Sequence, residues 1–121
     1  MTMIIRKEDR FLEKRECPVG GTGVVMQHHF LSKEDSCNTG RLFAINELQP
    51  NSSVGEHTHK GDFEIYVILE GTAVVRDNGV EQELHEGDVM LCRDGDSHSM
   101  ENRTDKPIKF LAIVLYTPEK K

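Results

Sequence analysis

Turn signals recur roughly every 8 to 12 residues along this chain, and the segments between them are rich in β-branched and aromatic residues. The clearest turn is Asp77-Asn78-Gly79, because Asn and Gly adopt the positive φ that a two-residue hairpin requires. No helical period extends beyond about two turns. Many short strands between such turns indicate an all-β sandwich or barrel. The predicted strands are 24–31, 41–48, 63–69, 72–76, 80–84, 88–92 and 108–116.

The length, charge and cysteines of the chain narrow its architecture and its partners. Its 121 residues suffice for one domain with its own core. A formal net charge of −6 disfavours nucleic acid and anionic membrane surfaces, which leaves a small-molecule ligand as the expected partner. Cys17, Cys37 and Cys92 include no Cys-x-x-Cys pair, which argues against a zinc ribbon. Without a bilayer-length apolar run or a secretory signal, a cytoplasmic location is expected.

Three histidines and one glutamate have spacings that suit a single metal ion. His57 and His59 are two residues apart, so both side chains point the same way if the segment is extended. Glu64 lies an odd number of positions beyond His59, and a turn at Lys60-Gly61-Asp62 is therefore needed to bring it back beneath the pair. His98 has to come from another part of the fold. Imidazole and carboxylate ligands suit manganese, iron, nickel or zinc, and ligand type alone does not choose among them.

Two sequence motifs resemble those of the cupin superfamily, and their separation is similar to that of small prokaryotic members. They span residues 51–102, which is under half of the chain, and fifteen residues separate them. The first motif is His57-Thr58-His59, then Glu64 after four intervening residues and Gly71 after six more. The second motif is Gly87, then Gly95 after seven intervening residues, His98 after two and Asn102 after three. Chance surface histidines are one alternative, and the consistent spacing of four potential ligands argues against it. A cupin that has lost its metal is the other, and the four filled ligand positions argue against that.

Two positions depart from the cupin motifs. Asn51 stands where the first motif usually opens with glycine, and Asn is the next most tolerant residue of positive φ, so the turn can be kept. Arg93 stands where the second motif usually has proline. An exposed turn residue is the favoured interpretation of Arg93, and binding of a substrate carboxylate is the alternative.

The resemblance implies a cupin double-stranded β-helix (jelly-roll) barrel over residues 24–121, after an N-terminal arm, residues 1–23, that packs on a partner subunit. It also implies one divalent metal ion held by the three histidines and Glu64. Because open sheet edges need cover, the arm predicts a homodimer. Similar cupins include dioxygenases, decarboxylases and isomerases, which suggests a metal-dependent enzyme acting on a small oxygen-rich or anionic substrate. A non-catalytic binding or sensing module is the alternative, because the fold does not determine the reaction.

Further side chains are candidates for contacts with a substrate. Tyr66 and Ile68 share the strand parity of Glu64 and should line the cavity, as should Met100 if the chain after His98 is a regular strand. Arg41 can bind a carboxylate through its planar guanidinium. The alternatives are plain core packing for the first three and a solvated side chain for Arg41.

The sequence leaves the roles of three other residues open. His28 and His29 are adjacent, so only one of them can face inward on a strand, and a solvated or interface role is favoured over metal binding. Cys92 ends an apolar run, where a small buried hydrophobe is the favoured interpretation. A thiol that faces the cavity is the alternative for Cys92.

Overall fold

The computed structural model describes residues 2–119 as ten β-strands with two short 3₁₀ turns, at Lys7–Asp9 and Pro18–Gly20. All strand pairs are antiparallel, in a six-stranded sheet of order β1-β2-β3-β10-β5-β8 and a four-stranded sheet of order β4-β9-β6-β7. The all-β prediction is confirmed. No helix in the described part is long and apolar enough to cross a membrane. The strands are β1 (Phe11–Glu16), β2 (Val24–His29), β3 (Gly40–Leu48), β4 (Ser53–Thr58), β5 (Asp62–Glu70), β6 (Ala73–Asp77), β7 (Val80–Leu84), β8 (Val89–Cys92), β9 (Ser97–Glu101) and β10 (Ile108–Tyr116).

Every predicted strand is present, β7 and β10 with the predicted bounds and the others within two residues at either end. Three further strands, β1, β4 and β9, are absent from the prediction. Their residues are mostly polar or charged and carry few of the β-branched side chains that mark a strand in a sequence. They are strands because of their partners: β1 pairs with β2, and β4 pairs with β9.

The predicted turns have the expected backbone conformations. Asn78 and Gly79 have φ of 49° and 87° and close the hairpin between β6 and β7. Asn51 has φ of 58°, so asparagine fills a left-handed position that glycine would otherwise take. Gly61, with φ of 77°, lies in the bend between β4 and β5, where the chain was expected to turn.

The hydrophobic core lies between the two sheets, and along β5 it continues up to Glu64, one of the four predicted metal ligands. Alternate residues of β5 point inward, so Glu64 and Tyr66 lie on the same face as the core residue Ile68. The register places Val114 of β10 beside Glu64 on that face. The core side chains are Val25, Leu48, Val54, Tyr66, Ile68, Ala73, Val75, Met100, Ile108, Phe110 and Ala112.

The segment predicted as an N-terminal arm forms a strand in its own subunit's sheet and a 3₁₀ turn that packs against β4. Residues 11–16 form β1, one of the two edge strands of the six-stranded sheet. The following 3₁₀ turn packs so closely on β4 that a Cβ on Gly55 would collide with the carbonyl oxygen of Val19. Packing of this segment on a partner subunit stays a prediction. Residue 1 of the predicted arm and residues 120–121 of the predicted barrel domain lie outside the described residues.

Candidate metal centre

Four side chains from three strands and one bend meet inside the barrel. His57 comes from β4, His59 from the bend after β4, Glu64 from β5 and His98 from β9. His57 and His98 lie directly opposite each other in the β4–β9 register. One nitrogen or oxygen atom of each residue lies within 4.8 Å of those of the other three. The tertiary structure therefore brings together the set that the spacing indicated.

The bend that carries His59 is held by the turn before β9. The backbone N–H of His59 donates to the carbonyl of Asp96 at 3.1 Å, and the carbonyl of His59 accepts from the N–H of Gly95 at 2.6 Å. The N–H of Gly61 donates to a carboxylate oxygen of Asp94 at 3.1 Å. These bonds tie the turns of the two motifs together and so fix His59 relative to His98.

The converging atoms have the spacing of ligands around one ion. Nε2 of His98 lies 2.9 Å from Oε1 of Glu64, 3.0 Å from Nε2 of His57 and 3.2 Å from Nε2 of His59. Oε1 of Glu64 lies 3.1 Å and 3.5 Å from Nε2 of His59 and His57. Bonds of about 2.1 Å at right-angle or tetrahedral geometry would place neighbouring ligand atoms roughly 3.0 to 3.4 Å apart. The four residues therefore fit a divalent metal ion.

Hydrogen bonds behind two of the imidazoles orient them for metal binding. Nδ1 of His57 lies 2.8 Å from the carbonyl oxygen of Gly55, and Nδ1 of His59 lies 2.7 Å from Oδ1 of Asp62. Both partners are acceptors, so the proton of each neutral ring sits on Nδ1. In this neutral form the Nε2 lone pairs of both rings are directed at the same point, as metal-binding histidines require.

His98 is oriented by packing instead of a hydrogen bond. Its Nδ1 is buried and has no hydrogen-bond partner within residues 2–119. The ring stacks on Tyr66 with centroids 4.8 Å apart and planes 12° apart. Tyr66 in turn meets the edge of Phe110, a core residue. The orientation of this imidazole therefore depends on the aromatic core behind it.

The charges in the cluster favour an ionised carboxylate among imidazoles. Burial alone would raise the pKa of Glu64, but hydrogen bonds from His57, His59 and His98 outweigh it and hold the pKa far below its usual range. The hydrogen bond to Glu64 raises the pKa of His59 against the opposing effect of burial. Burial lowers the pKa of His98, which favours its neutral, ligating form. A buried carboxylate among imidazole nitrogens is a site that attracts a cation.

A cavity of about 300 Å³ opens beside the cluster. Arg41 lies at its edge, and its Nε donates to Oδ2 of Asp62 at 2.8 Å while half of the side chain stays exposed. Burial raises the pKa of Tyr66 well above its ordinary value, and the negative charge of Glu64 adds to this effect. The cavity is lined by Arg15, Pro18, Val19, Val25, Gln27, Arg41, Leu42, Asn46, Val54, His57, Thr58, His59, Glu64, Tyr66 and Val114.

The structure separates the predicted substrate contacts into two groups. Arg41 and Tyr66 line the cavity. Ile68 and Met100 are each 1% exposed, pack in the hydrophobic core and are not among the residues that line the cavity. A role for any of the four in binding a substrate stays a prediction.

Three polar residues of the site were not identified from the sequence. Asp62 joins Arg41 to His59, and the buried amides Gln27 and Asn46 line the cavity. A signal for each of them exists in the strand parity. Asp62 has the inward parity of Glu64, and the two amides fall at buried positions two residues from the core residues Val25 and Leu48.

The residues with open roles lie outside the cluster. His28 approaches a carboxylate oxygen of Glu47 at 3.4 Å, and His29 approaches one of Glu13 at 2.9 Å. Cys92 is 2% exposed, lies opposite Glu64 in the β5–β8 register and has a pKa raised to about 12 by burial and by nearby carboxylates. Its thiol therefore stays protonated, in agreement with a small buried hydrophobe.

Fold and site together define a small β-barrel protein with a cluster of imidazole and carboxylate ligands, and comparisons with known proteins place it in a family. The cupin domain family model matches residues 44–114. The oxalate-binding protein of Thermotoga maritima is 43% identical over 113 residues, which is 93% of each chain. The chain belongs to the cupin family.

Solved structures agree with this assignment. The crystal structure of a predicted oxalate decarboxylase from Thermotoga maritima superposes with a TM-score of 0.91 at 43% identity, covering 95% of this chain and 100% of the other. A cupin-superfamily sugar phosphate isomerase from Silicibacter pomeroyi has a TM-score of 0.66 at 23% identity, covering 88% and 73% of the two chains. The second similarity shows the fold alone.

Proposed function

We propose that this cupin binds one divalent metal ion through His57, His59, Glu64 and His98, and binds a small dicarboxylate of the oxalate class at that ion. The observation that carries the proposal is the convergence of three Nε2 atoms and one carboxylate oxygen, two of the imidazoles being oriented by acceptors at Nδ1. The name of the Thermotoga maritima relative supports oxalate as the model ligand. Manganese, iron, nickel and zinc all suit this ligand set.

The residues around the cluster suit an anion with paired oxygens. When bound, the ion supplies Lewis acidity and coordination positions for ligand oxygens. Arg15 and Arg41 line the same cavity and offset the negative charge of a dicarboxylate. Asp62 engages only Nε of Arg41, so the terminal nitrogens of that guanidinium are left to pair with a carboxylate.

Two versions of this function differ in whether the ligand reacts. Among the residues that line the cavity, Glu64 is the only carboxylate, and it belongs to the metal cluster. A separate carboxylate for proton transfer is thus not present in the lining, which favours binding without turnover. Tyr66 favours the second candidate, a metal-dependent dioxygenase, decarboxylase or isomerase type of enzyme, because its protonated phenol can donate a hydrogen bond or a proton.

The proposal is tested by metal content and calorimetry. The protein is stripped of metal, loaded in turn with manganese, iron, nickel or zinc, and titrated with oxalate in both states. We expect one ion per chain, and oxalate binding only in the loaded state. The His59→Ala variant should lose both, whereas the control His85→Ala removes a histidine on the surface and should retain them. Full metal occupancy in His59→Ala would contradict the ligand assignment.

A parallel assay separates binding from turnover. Consumption of oxygen and release of carbon dioxide are followed while the loaded protein is incubated with oxalate. Lasting saturation without either change supports a binding protein, and metal-dependent turnover supports the enzyme. The homodimer and the cytoplasmic location expected from the sequence also stay predictions.

A further inference from the structure

Two buried amides lie in the cavity, on strands that carry none of the four metal-ligand candidates. Gln27 of β2 and Asn46 of β3 are direct cross-strand partners, and both line the cavity. They are 5% and 4% exposed, and Oδ1 of Asn46 has no hydrogen-bond partner within residues 2–119. A buried amide oxygen without a partner costs free energy, and such groups are rare in folded proteins.

The position of the two amides relative to the metal cluster follows from the strand register. Asn46 aligns with Phe110 of β10, and Phe110 aligns with Ile68 of β5. Ile68 lies four residues beyond Glu64 on the same strand, which is roughly 13 Å along the strand direction. The amide pair and the metal ligands therefore form two separate groups along the barrel interior.

The groups beside the amides favour an anion. Arg15 of β1 is the cross-strand partner of Val25, two residues from Gln27, so it extends from the same face of the sheet and lines the same cavity. Both amide NH₂ groups and the guanidinium donate hydrogen bonds, and a carboxylate is the small group that best accepts several of them. Glu64, the one carboxylate in the lining, is held by the three histidines.

We propose that Gln27, Asn46 and Arg15 bind the far carboxylate of a ligand whose other end binds at the metal cluster, so that the preferred ligand is a dicarboxylate longer than oxalate. This inference rests on the proposed function, because the near end of the ligand uses the metal. The cavity of about 300 Å³ is in the size range of ligand pockets and has room for more than the six non-hydrogen atoms of oxalate. A carboxylate only accepts hydrogen bonds, so the NH₂ group of Asn46, and not its unpaired Oδ1, binds the ligand.

The test uses two acids that share a metal-chelating head and a carbon chain. In 2-hydroxyglutarate the chain ends in a carboxylate, and in 2-hydroxypentanoate it ends in a methyl group. Calorimetry on the metal-loaded protein should give 2-hydroxyglutarate about ten-fold or more the affinity of 2-hydroxypentanoate, since hydrogen bonds to a charged group are among the stronger ones. Equal affinities would overturn the inference.

Variants of the amides tie that preference to the named residues. Asn46→Leu and Gln27→Leu keep the approximate size of the side chain and remove its donors, so each should reduce the ratio of the two affinities towards one while metal content stays unchanged. Asn46→Asp keeps the size of the side chain but adds a negative charge, so it should weaken 2-hydroxyglutarate binding through charge repulsion. An unchanged preference in all three variants would overturn the assignment.

The outcomes also separate this inference from the function on which it rests. If both acids bind with equal affinity, the metal site stands and only the far-end assignment fails. If neither acid nor oxalate binds to the loaded protein, the proposed function fails and the inference fails with it.

Discussion

Asp62 accepts a hydrogen bond from Nδ1 of His59 at 2.7 Å through one carboxylate oxygen. Its other oxygen accepts a bond from Nε of Arg41 at 2.8 Å. Burial alone would raise the pKa of Asp62, but these two partners outweigh it and lower the pKa, so the carboxylate stays ionised and acts only as an acceptor. One residue thus orients a candidate metal ligand and a candidate ligand-binding arginine.

Replacing Asp62 should weaken metal binding although Asp62 does not belong to the cluster. In Asp62→Asn the negative charge behind His59 is lost and the amide can present a donor to Nδ1, so we expect a loss of about 10- to 100-fold in metal affinity. Competition with a chromophoric chelator measures it. The control Asp105→Asn changes an exposed aspartate of the same size and should leave the affinity unchanged.

Metal affinity should rise with pH across the range in which His59 titrates. The hydrogen bond to Glu64 raises the pKa of His59 above 6.5, so below that pKa a proton on the ring has to be displaced by the metal. Acidification from about pH 8 through this pKa should reduce the affinity by up to about ten-fold per pH unit for one displaced proton. The lowered pKa of Glu64 keeps that group ionised throughout.

The apoprotein should show the opposite trend in stability from the same group. A histidine whose pKa is raised by folding stabilises the folded state below its unfolded pKa, and this stabilisation is lost as pH rises through the folded value. Thermal unfolding of metal-free and metal-loaded protein over the same pH series measures both effects. A metal affinity that increases on acidification would contradict the assignment of His59.

Arg41 should affect ligand binding more than metal binding. Arg41→Gln removes the guanidinium from the cavity edge, and we expect about ten-fold weaker oxalate binding, the loss of a hydrogen bond to a charged group. Calorimetry on the loaded protein measures this. Arg103→Gln, which breaks exposed ion pairs with Glu81 and Glu101, serves as the control and should bind oxalate normally. Equal oxalate affinity in both variants would remove Arg41 from the site.

Val19 occupies a backbone conformation that is unfavourable for its side chain. Its φ of 52° and ψ of 40° are left-handed, which a β-branched residue rarely adopts, and 44% of its surface is exposed. Val19→Asn should therefore stabilise the protein by about 1 kcal/mol, raising the Tm by roughly 4 °C. The matched control is Val80→Asn, which changes an exposed valine on β7 and should not stabilise. A lower Tm for Val19→Asn would contradict the strain argument.

The chain should form a homodimer in solution. β1 is an edge strand, and its residues Phe11 and Leu12 are 68% and 50% exposed, as an interface strand would be in an isolated subunit. Sedimentation at micromolar concentration should report twice the chain mass of 13.7 kDa. Deletion of residues 1–15 should shift the protein towards the monomer. A full-length protein that sediments as a monomer would exclude this role of the arm.

Much of the fold could be predicted from local chemistry alone. Strands such as Ile108–Tyr116 alternate or concentrate apolar residues, and the Asn78-Gly79 hairpin requires a positive φ that these two residues tolerate. Such signals are local, because they depend on the conformational preferences of neighbouring residues. The strands Phe11–Glu16 and Ser97–Glu101 lack them, since they are strands only because a partner strand supplies their hydrogen bonds.

The residues that can bind a metal were evident from the chain alone, because the motif spacing around His57, His59, Glu64 and His98 rarely arises by chance. The surroundings of these four residues were not evident from the sequence, because only the folded barrel brings the neighbouring side chains together. Distances of about 3 Å among Nε2 and Oε1 atoms, the link from Asp62 to Arg41, and the amide pair inside the cavity all join residues far apart in the chain. Contacts of this kind depend on strand register and on how two sheets close around a common interior, and no local preference encodes either.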